Sequence, residues 1–128
     1  MSEQLSEKFY TEISSNYTSE QNETFSSVIE LNPKHKVYAG HFPHISIAPG
    51  VFLIQTVRDI LVEKLNKKLI LTEGSNIKFV AVINPNETKD FQIDFTVKQI
   101  DDIIDVSANY TNMGNSFTKF KGKFKIVQ

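Results

Sequence analysis

Apolar and polar residues alternate strictly in the last third of the chain. Successive side chains of a β-strand point to opposite faces, so this alternation predicts strands with one buried face. The residues that share a buried face are Phe91, Ile93, Phe95 and Val97 in one segment, and Phe120, Phe124 and Ile126 in another. Three strands are therefore predicted, at Phe91–Ile100, Ile103–Thr111 and Phe117–Val127, separated by turns at 101–102 and 112–115.

The first half of the chain contains shorter segments with strand composition. Phe9–Thr18 and Glu23–Leu31 are rich in Thr, Tyr, Phe, Val and Ile, and they predict an antiparallel pair that Asn32-Pro33 ends. His35–Phe42 is expected to be extended. After the centre of the chain, Leu69–Thr72 indicates a short strand, Glu73–Ser75 a turn, and Asn76–Ile83 a further strand that stops at Asn84-Pro85.

Between these strands lies one helical segment, predicted from about Gly50 to Asn66. Pro49 suits the first position of a helix, and Gly50 leaves the amides inside the new helix uncovered. Apolar residues occur on more than one side of the helix, which predicts that the sheet wraps around it. They are Val51, Phe52, Leu53, Ile54, Val57, Ile60, Leu61, Val62 and Leu65. One buried helix with five or six antiparallel strands predicts an α+β fold.

Length and charge narrow the class of protein. The 128 residues are expected to form one domain, spanning 1–128, and the net charge of −1 gives no basic field of the kind that binds nucleic acid. No cysteine is present, which excludes disulfides, thiolate metal sites and a cysteine nucleophile. The polar start MSEQLSEKFY and the lack of a long apolar run predict a soluble cytoplasmic protein that does not bind membranes.

The residues most suited to chemistry lie between Gly40 and Asp59. His41 carries the side chain best able to remove and return a proton near neutral pH. The amides at the helix start near Gly50 are suited to bind an oxygen anion, because the partial positive charge of a helix lies at its first turn. The alternative is that His41 only hydrogen-bonds the backbone at a tight turn.

This segment resembles the β-hydroxyacyl-acyl carrier protein dehydratases of the hot-dog fold, whose signature is G-H-F-P-G-x-P-x-x-P-G-V followed by a carboxylate. The matching residues are Gly40, His41, Phe42, Pro43, Pro49, Gly50 and Val51. The resemblance implies a hot-dog fold and elimination of water from a 3-hydroxyacyl thioester to give the trans-2-enoyl thioester. It also implies a substrate on the phosphopantetheine arm of acyl carrier protein, in fatty-acid or related polyene or polyketide synthesis, with neither a metal nor another cofactor.

In such proteins the site is shared across a dimer. The resemblance therefore implies a homodimer in which His41 and Gly50 of one chain face Gln55 of the other. His41 is the expected base, and Gly50 is expected to stabilise the charge on the thioester oxygen. The residues expected to line the substrate site are Phe42, Pro43, Ile47, Pro49 and Val51.

Three positions depart from the signature, since His44 replaces a glycine, Ser46 a proline and Gln55 the acidic residue. Gln55 matters most, because an amide cannot gain or lose a proton at physiological pH. Either His41 serves as both base and acid while Gln55 holds the departing hydroxyl, or the fold keeps an acyl site without dehydration. Asp59, one turn further along the helix, is a possible replacement carboxylate, although it and Arg58 are more typical of surface ion pairs.

Three histidines, His35, His41 and His44, fall within ten residues. They do not predict a zinc site, because no acidic or sulfur ligand occurs at a supporting spacing. Four lysines alternate on the last strand, at Lys119, Lys121, Lys123 and Lys125. They form a docking surface for an acidic carrier protein or its phosphate, or a solvated face, or they keep an edge strand from pairing with another molecule. Two other functions remain open: a thioesterase of the same fold, or a noncatalytic acyl-binding subunit of a heterodimeric dehydratase.

Overall fold

The computed structural model describes residues 8–20, 23–38 and 47–127. This part of the chain contains six β-strands and one α-helix. In chain order they are β1 (Tyr10–Ser15), β2 (Thr24–Leu31), α1 (Gly50–Leu65), β3 (Lys68–Phe79), β4 (Asp90–Ile100), β5 (Ile103–Asn112) and β6 (Asn115–Val127). Within these residues no helix is both long and apolar enough to span a bilayer.

The strands form one antiparallel sheet in the order β1-β2-β4-β5-β6-β3. β4, β5 and β6 follow one another through tight turns, whereas β3 pairs with β6 and so returns to the far edge of the sheet. One long helix against a six-stranded antiparallel sheet confirms the predicted α+β hot-dog architecture. The strand alternation is confirmed too, because Phe91, Ile93, Phe95 and Phe124 are fully buried.

Helix α1 packs on the inner face of this sheet through one side. Its buried residues are Leu53, Thr56, Val57, Ile60 and Leu61. The phenol of Tyr110, on β5, donates a hydrogen bond of 2.6 Å to the carbonyl oxygen of Leu53 and so fixes the first turns of the helix to the sheet. Burial raises the pKa of Tyr110 well above its usual range. The phenol therefore stays protonated and remains a donor at every physiological pH.

Among the residues that the structure describes, none covers the whole of the other side of α1. Val51 is 67% exposed and Gln55 is exposed as well. The helix ends at Leu65, followed by Asn66 with a left-handed backbone (φ 54°, ψ 48°), which is typical of a helix C-terminus. The predicted bounds of the helix are thus confirmed, and the face that the sheet leaves open is available to another surface.

The structure corrects two predictions about the strands. Glu73–Ser75 is not a turn, because β3 runs without a break from Lys68 to Phe79 and ends before Ile83. The register of its pairing with β6 shifts between Leu71 and Glu73 and again between Gly74 and Asn76. The residues that suggested a turn therefore remain within the strand, at these two irregularities. The region predicted as extended from His35 contains a 3-10 helix at Lys36–Tyr38 instead.

The edge strand β1 is tied to the helix by polar side chains. Lys64 lies 2.7 Å from Glu12 Oε1, and Ser27 Oγ, which is fully buried on β2, donates to Glu12 Oε2 at 2.5 Å. Burial lowers the pKa of Lys64, but the hydrogen bonds and charges of Glu12 and Glu63 raise it more, so that the pKa lies above its usual value. One carboxylate thus joins β1, β2 and α1.

We expect Gly122→Ala to destabilise the fold, because the added methyl group on β6 would lie 2.5 Å from the carbonyl oxygen of Glu73 and 2.6 Å from the Phe120 ring. A loss of about 1–3 kcal/mol in the free energy of unfolding is expected from such overpacking. Gly74, directly opposite on β3, is the matched control, since its added methyl group would meet only Ile77 at an ordinary 3.5 Å. Urea denaturation of both variants tests this, and equal stabilities would contradict it.

Candidate active site

The structure describes some of the residues predicted for the site and not others. Gly50, Gln55, Ile47, Pro49 and Val51 lie within the described residues. The histidine of the motif does not: His41, Phe42, Pro43 and His44 lie outside the described residues. The placement of the predicted base therefore stays a prediction, and the geometry concerns the helix start and the exposed face of α1.

The start of α1 has no side-chain cap. Pro49 is extended (φ −68°, ψ 141°), and its carbonyl oxygen accepts the amides of Phe52 at 3.0 Å and Leu53 at 3.3 Å. The first amides of the helix, those of Gly50 and Val51, are the ones that this turn leaves for a ligand. The preceding segment is fixed, because the Ala48 amide donates to the Ile83 carbonyl oxygen at 2.8 Å.

The ring of Phe79, the last residue of β3, packs against Gly50. A side chain at position 50 would collide with the tip of this ring, with Cε1 only 2.9 Å from an added Cβ. Gly50 is therefore required by a close approach as well as by the helix start. Since Phe79 is 58% exposed, the ring has room to move away from the helix start toward solvent.

Gln55 lines a cavity of about 630 Å³ between the beginning of β1 and the exposed side of α1. Asp59 and Glu63, at intervals of four residues along the helix, line the same cavity. Across from them lie residues of the strand and of the loop after β2, including Tyr10 and His35. The cavity is large enough for a small organic ligand, and most polar groups in it are acidic or neutral.

The carboxylates around this cavity affect a neighbouring phenol. Burial, and to a smaller extent the charges of Asp59, Glu63 and Glu12, raise the pKa of Tyr10 to about 12. Tyr10 is thus a neutral hydrogen-bond donor near pH 7. Asp59 lies 3.3 Å from Arg58 Nη2, and both side chains are about two fifths exposed. Arg58 and Asp59 thus form an ion pair with each other at the helix surface, and Asp59 also lines the cavity with Gln55.

His35 is buried among aromatic rings at the end of this cavity. The rings of Phe9 and Phe52 each lie 5.6 Å from it, edge to face. Its Nδ1 accepts a hydrogen bond of 3.0 Å from the Val37 amide, which places the proton of the neutral ring on Nε2. Through these contacts His35 stabilises the conformation of the segment that leads to Tyr38. No cluster of three or more potential metal ligands occurs in the described part of the chain.

Gly50 and Gln55 do not meet within one chain. Five residues separate them, which is a rotation of about 140° around an α-helix. Gly50 faces Phe79 at one edge of the sheet, whereas Gln55 faces the cavity beside β1 at the other. The two groups therefore open to different surroundings in this chain.

The lysines of β6 project from the outer face of the sheet, as predicted, while Phe120 and Phe124 are buried. The idea that they protect an edge strand is wrong. β6 lies between β5 and β3 and pairs along its length with both. The solvated face and the docking surface remain as explanations for these lysines.

Comparisons with known proteins agree with the fold. Residues 17–121 match the family model described as ApeI-like, an ApeI dehydratase. An uncharacterised protein from Erwinia carotovora subsp. atroseptica has a TM-score of 0.70 at 20% identity, covering 94% of this chain and 97% of its own. The dehydratase heterocomplex ApeI:P from Xenorhabdus doucetiae gives 0.68 at 17%, with coverages of 92% and 97%.

A putative thioesterase from Shewanella oneidensis gives a TM-score of 0.58 at 14% identity, covering 98% of this chain and 89% of its own. No curated protein matches the sequence. At these identities the similar structures establish the fold alone. The family match supports the dehydratase group that the sequence motif indicated, without selecting the branch that acts in fatty-acid synthesis.

Sequence reasoning missed two residues of this region. Phe79 was placed inside a strand, and no local pattern shows that its ring reaches Gly50, 29 positions earlier in the chain. Tyr10 was assigned to β1 without a role, although it faces the same cavity as Gln55. The alternation of apolar residues identified their strands but not their partners across the fold.

We expect the contact between Gly50 and Phe79 to appear as an energetic coupling. Gly50→Ala should destabilise the wild type, because the new methyl group displaces the ring, and should cost less when Phe79 is already alanine. Double-mutant cycles of contacting residues give coupling energies of about 0.5–3 kcal/mol. Urea denaturation of the two single variants and the double variant measures it. Additive effects would show that the ring does not rest on the helix start.

Proposed function

The chain belongs to the ApeI-like dehydratase family, and on that premise we propose that it eliminates water from 3-hydroxyacyl thioesters bound to acyl carrier protein. The product is the trans-2-enoyl thioester. The observation that carries the proposal is the uncapped helix start at Gly50, which follows the G-H-F-P segment with His41 after a short connection. An oxyanion site and a base are thereby placed within ten residues of each other in the sequence.

The proposed reaction requires each group to act at one atom. His41 removes the proton from the α-carbon, and the charge that develops on the thioester oxygen is stabilised by the amide of Gly50. The bond from the β-carbon to the hydroxyl oxygen then breaks, and the imidazolium of His41 returns its proton to that oxygen to give water. Gln55 of the second chain holds the departing hydroxyl by a hydrogen bond, because its amide cannot supply the proton.

The ring of Phe79 has to move aside for a thioester to reach Gly50. Its exposure of 58% is compatible with this motion, and the ring is attached to the end of an edge strand. In this proposal Phe79 covers the oxyanion site when no substrate is bound. It then forms part of the apolar wall beside the acyl chain.

We propose further that two copies pair through β3. This strand has one free edge, and its length of twelve residues contrasts with six in β1 at the opposite edge. Unpaired strand edges and contiguous exposed apolar side chains are typical of protein interfaces. The exposed apolar residues of β3 and the loop after it are Ile70, Leu71, Ile77, Phe79, Val80 and Val82.

Such pairing of antiparallel β3 strands around a two-fold axis would bring the helix start of each chain, which lies at this edge, close to the other chain. The printed description of the Xenorhabdus relative names a heterocomplex. A second, different hot-dog chain is therefore the competing partner for the same edge.

We expect the purified protein to hydrate a crotonyl thioester, the reverse reaction, which is followed by loss of the enoyl absorbance. His41→Ala should reduce the rate by at least about 10²-fold, because general acid–base catalysis contributes at least that much. Gln55→Ala should lose part of the activity, and Gln55→Glu should retain or increase it.

Two controls accompany this assay. His44→Ala removes an imidazole from the same segment, and Gln99→Ala removes an exposed glutamine near the end of β4. Both variants should retain hydration. Release of free thiol without hydration would replace the proposal with a thioesterase. Full hydration by His41→Ala would reject His41 as the base, and binding without turnover in the wild type would indicate a noncatalytic subunit.

We expect the wild type to be a dimer at micromolar concentration and Ile77→Lys to weaken it, because a charge would be buried at the paired edge. Ile100→Lys is the matched control, since Ile100 is also an exposed isoleucine but lies at the end of β4, away from this edge. Sedimentation equilibrium measures both variants. A monomeric wild type, or equal dissociation of the two variants, would contradict pairing through β3.

A further inference from the structure

The lysines on the outer face of the sheet differ in their neighbours. Lys123 lies between two acidic residues, Glu73 on β3 and Asp105 on β5. Lys125 Nζ is 4.0 Å from Asp102 Oδ2. The charges of these two lysines are therefore balanced by the sheet itself, and their role is accounted for by cross-strand pairing.

Lys119 and Lys121 have no such partners. Lys119 lies opposite Lys78 on β3 and Asn109 on β5, whereas Lys121 lies opposite Asn76 and Ser107. Like charges directly opposite each other destabilise a sheet. No ion pair involves Lys78, Lys119 or Lys121 within residues 8–20, 23–38 and 47–127. The three residues, named here the lysine cluster, concentrate positive charge in a protein whose net charge is −1.

The lysine cluster borders a cavity of about 350 Å³ on the outer face. Three lysines and one acidic residue, Asp94, line it, so the charge of the lining is +2. Asp94 is already engaged, because its Oδ1 accepts hydrogen bonds of 2.7 Å from Ser26 Oγ and from Gln92 Nε2. Asp94 therefore offsets one of the three lysine charges, and the lining keeps a positive charge.

The side chain of Asn109 also lines this cavity. Its amide nitrogen donates to Ser116 Oγ at 3.1 Å, but its buried Oδ1 has no hydrogen-bond partner among the described residues. An unpaired buried acceptor costs free energy unless a donor reaches it. Lys119 is opposite Asn109 in the register, so its ammonium group is the available donor. Such a bond would hold that group over the cavity.

From these observations we propose that the lysine cluster binds the phosphate group of a phosphate ester. Lys78 and Lys119 face each other across two strands at a separation of about 5 Å between their Cβ atoms, and Lys121 is two residues along the same face. Three ammonium groups in that arrangement converge on one compact anion. The hydroxyl of Ser107 and the amide of Asn76 supply further donors at the border of the cavity.

A compact anion fits better than an acidic protein surface. The exposed neighbours of the cluster are short neutral side chains, and the balanced Lys123 and Lys125 limit the positive region to one end of the face. A protein partner of standard size covers about 800 Å² on each side and is anchored by aromatic residues or arginine. The cavity is on the opposite face from α1, so this site does not depend on the proposed dehydratase function.

The test is a titration of the ¹⁵N-labelled protein at low salt, observed by the amide chemical shifts. The probes are inorganic phosphate, 4′-phosphopantetheine, coenzyme A and, without phosphate, pantetheine. We expect the three phosphate-containing probes to shift amides around residues 78, 119 and 121, and pantetheine to leave them unchanged. Tighter binding of 4′-phosphopantetheine would indicate that the phosphate comes from a carrier arm. Tighter binding of coenzyme A would indicate a nucleotide.

The paired variant Lys119→Ala/Lys121→Ala should weaken phosphate-ester binding at least about tenfold. Lys123→Ala/Lys125→Ala removes the same charge from the same strand and should change it less than about twofold. Equal weakening by both pairs, or equal binding of pantetheine, would overturn the proposal. So would tighter binding of a polyglutamate peptide than of any phosphate probe, since that would indicate an acidic protein as the partner. The crotonyl thioester assay is unaffected by either result, so the two proposals fail independently.

Discussion

The packing of one helix across the inner face of the sheet is the constraint on which the rest of this structure depends. Leu53, Val57 and Ile60 are buried against the sheet, and the Tyr110 phenol fixes the carbonyl of Leu53. Rotation of the helix about its axis is thereby excluded, since a turn of one residue would expose the apolar side. The packing of α1 on the sheet therefore determines where each exposed side chain of the helix points.

The fixed helix presents two separate features to its surroundings. Its start, with Gly50, lies under Phe79 at the β3 edge, and its exposed side, with Gln55 and Asp59, lies beside β1. Neither feature contains all the groups that a dehydration requires. In the proposed dimer, pairing at the free edge of β3 would add a second helix with the same two features.

The sequence predicted what depends on local periodicity. The bounds of α1 and the strands β4 and β5 follow from apolar spacing and from turn residues, and they agree with the structure. It failed at Glu73–Ser75, where turn-forming residues are accommodated by register shifts because β6 pairs on both sides of them. The contact of Phe79 with Gly50 and the division of the lysines into balanced and unbalanced sets depend on strand order, which no local pattern specifies.

The wall of the cavity beside Gln55 is the least strongly held part of the sheet. β1 has six residues, pairs with a single neighbour, and its register shifts between Glu12 and Ser14. Outer strands of this kind detach transiently at a free energy far below that of global unfolding. Fraying of β1 would therefore open the wall of this cavity further, so the shape of the space beside Gln55 depends on how firmly β1 stays paired with β2.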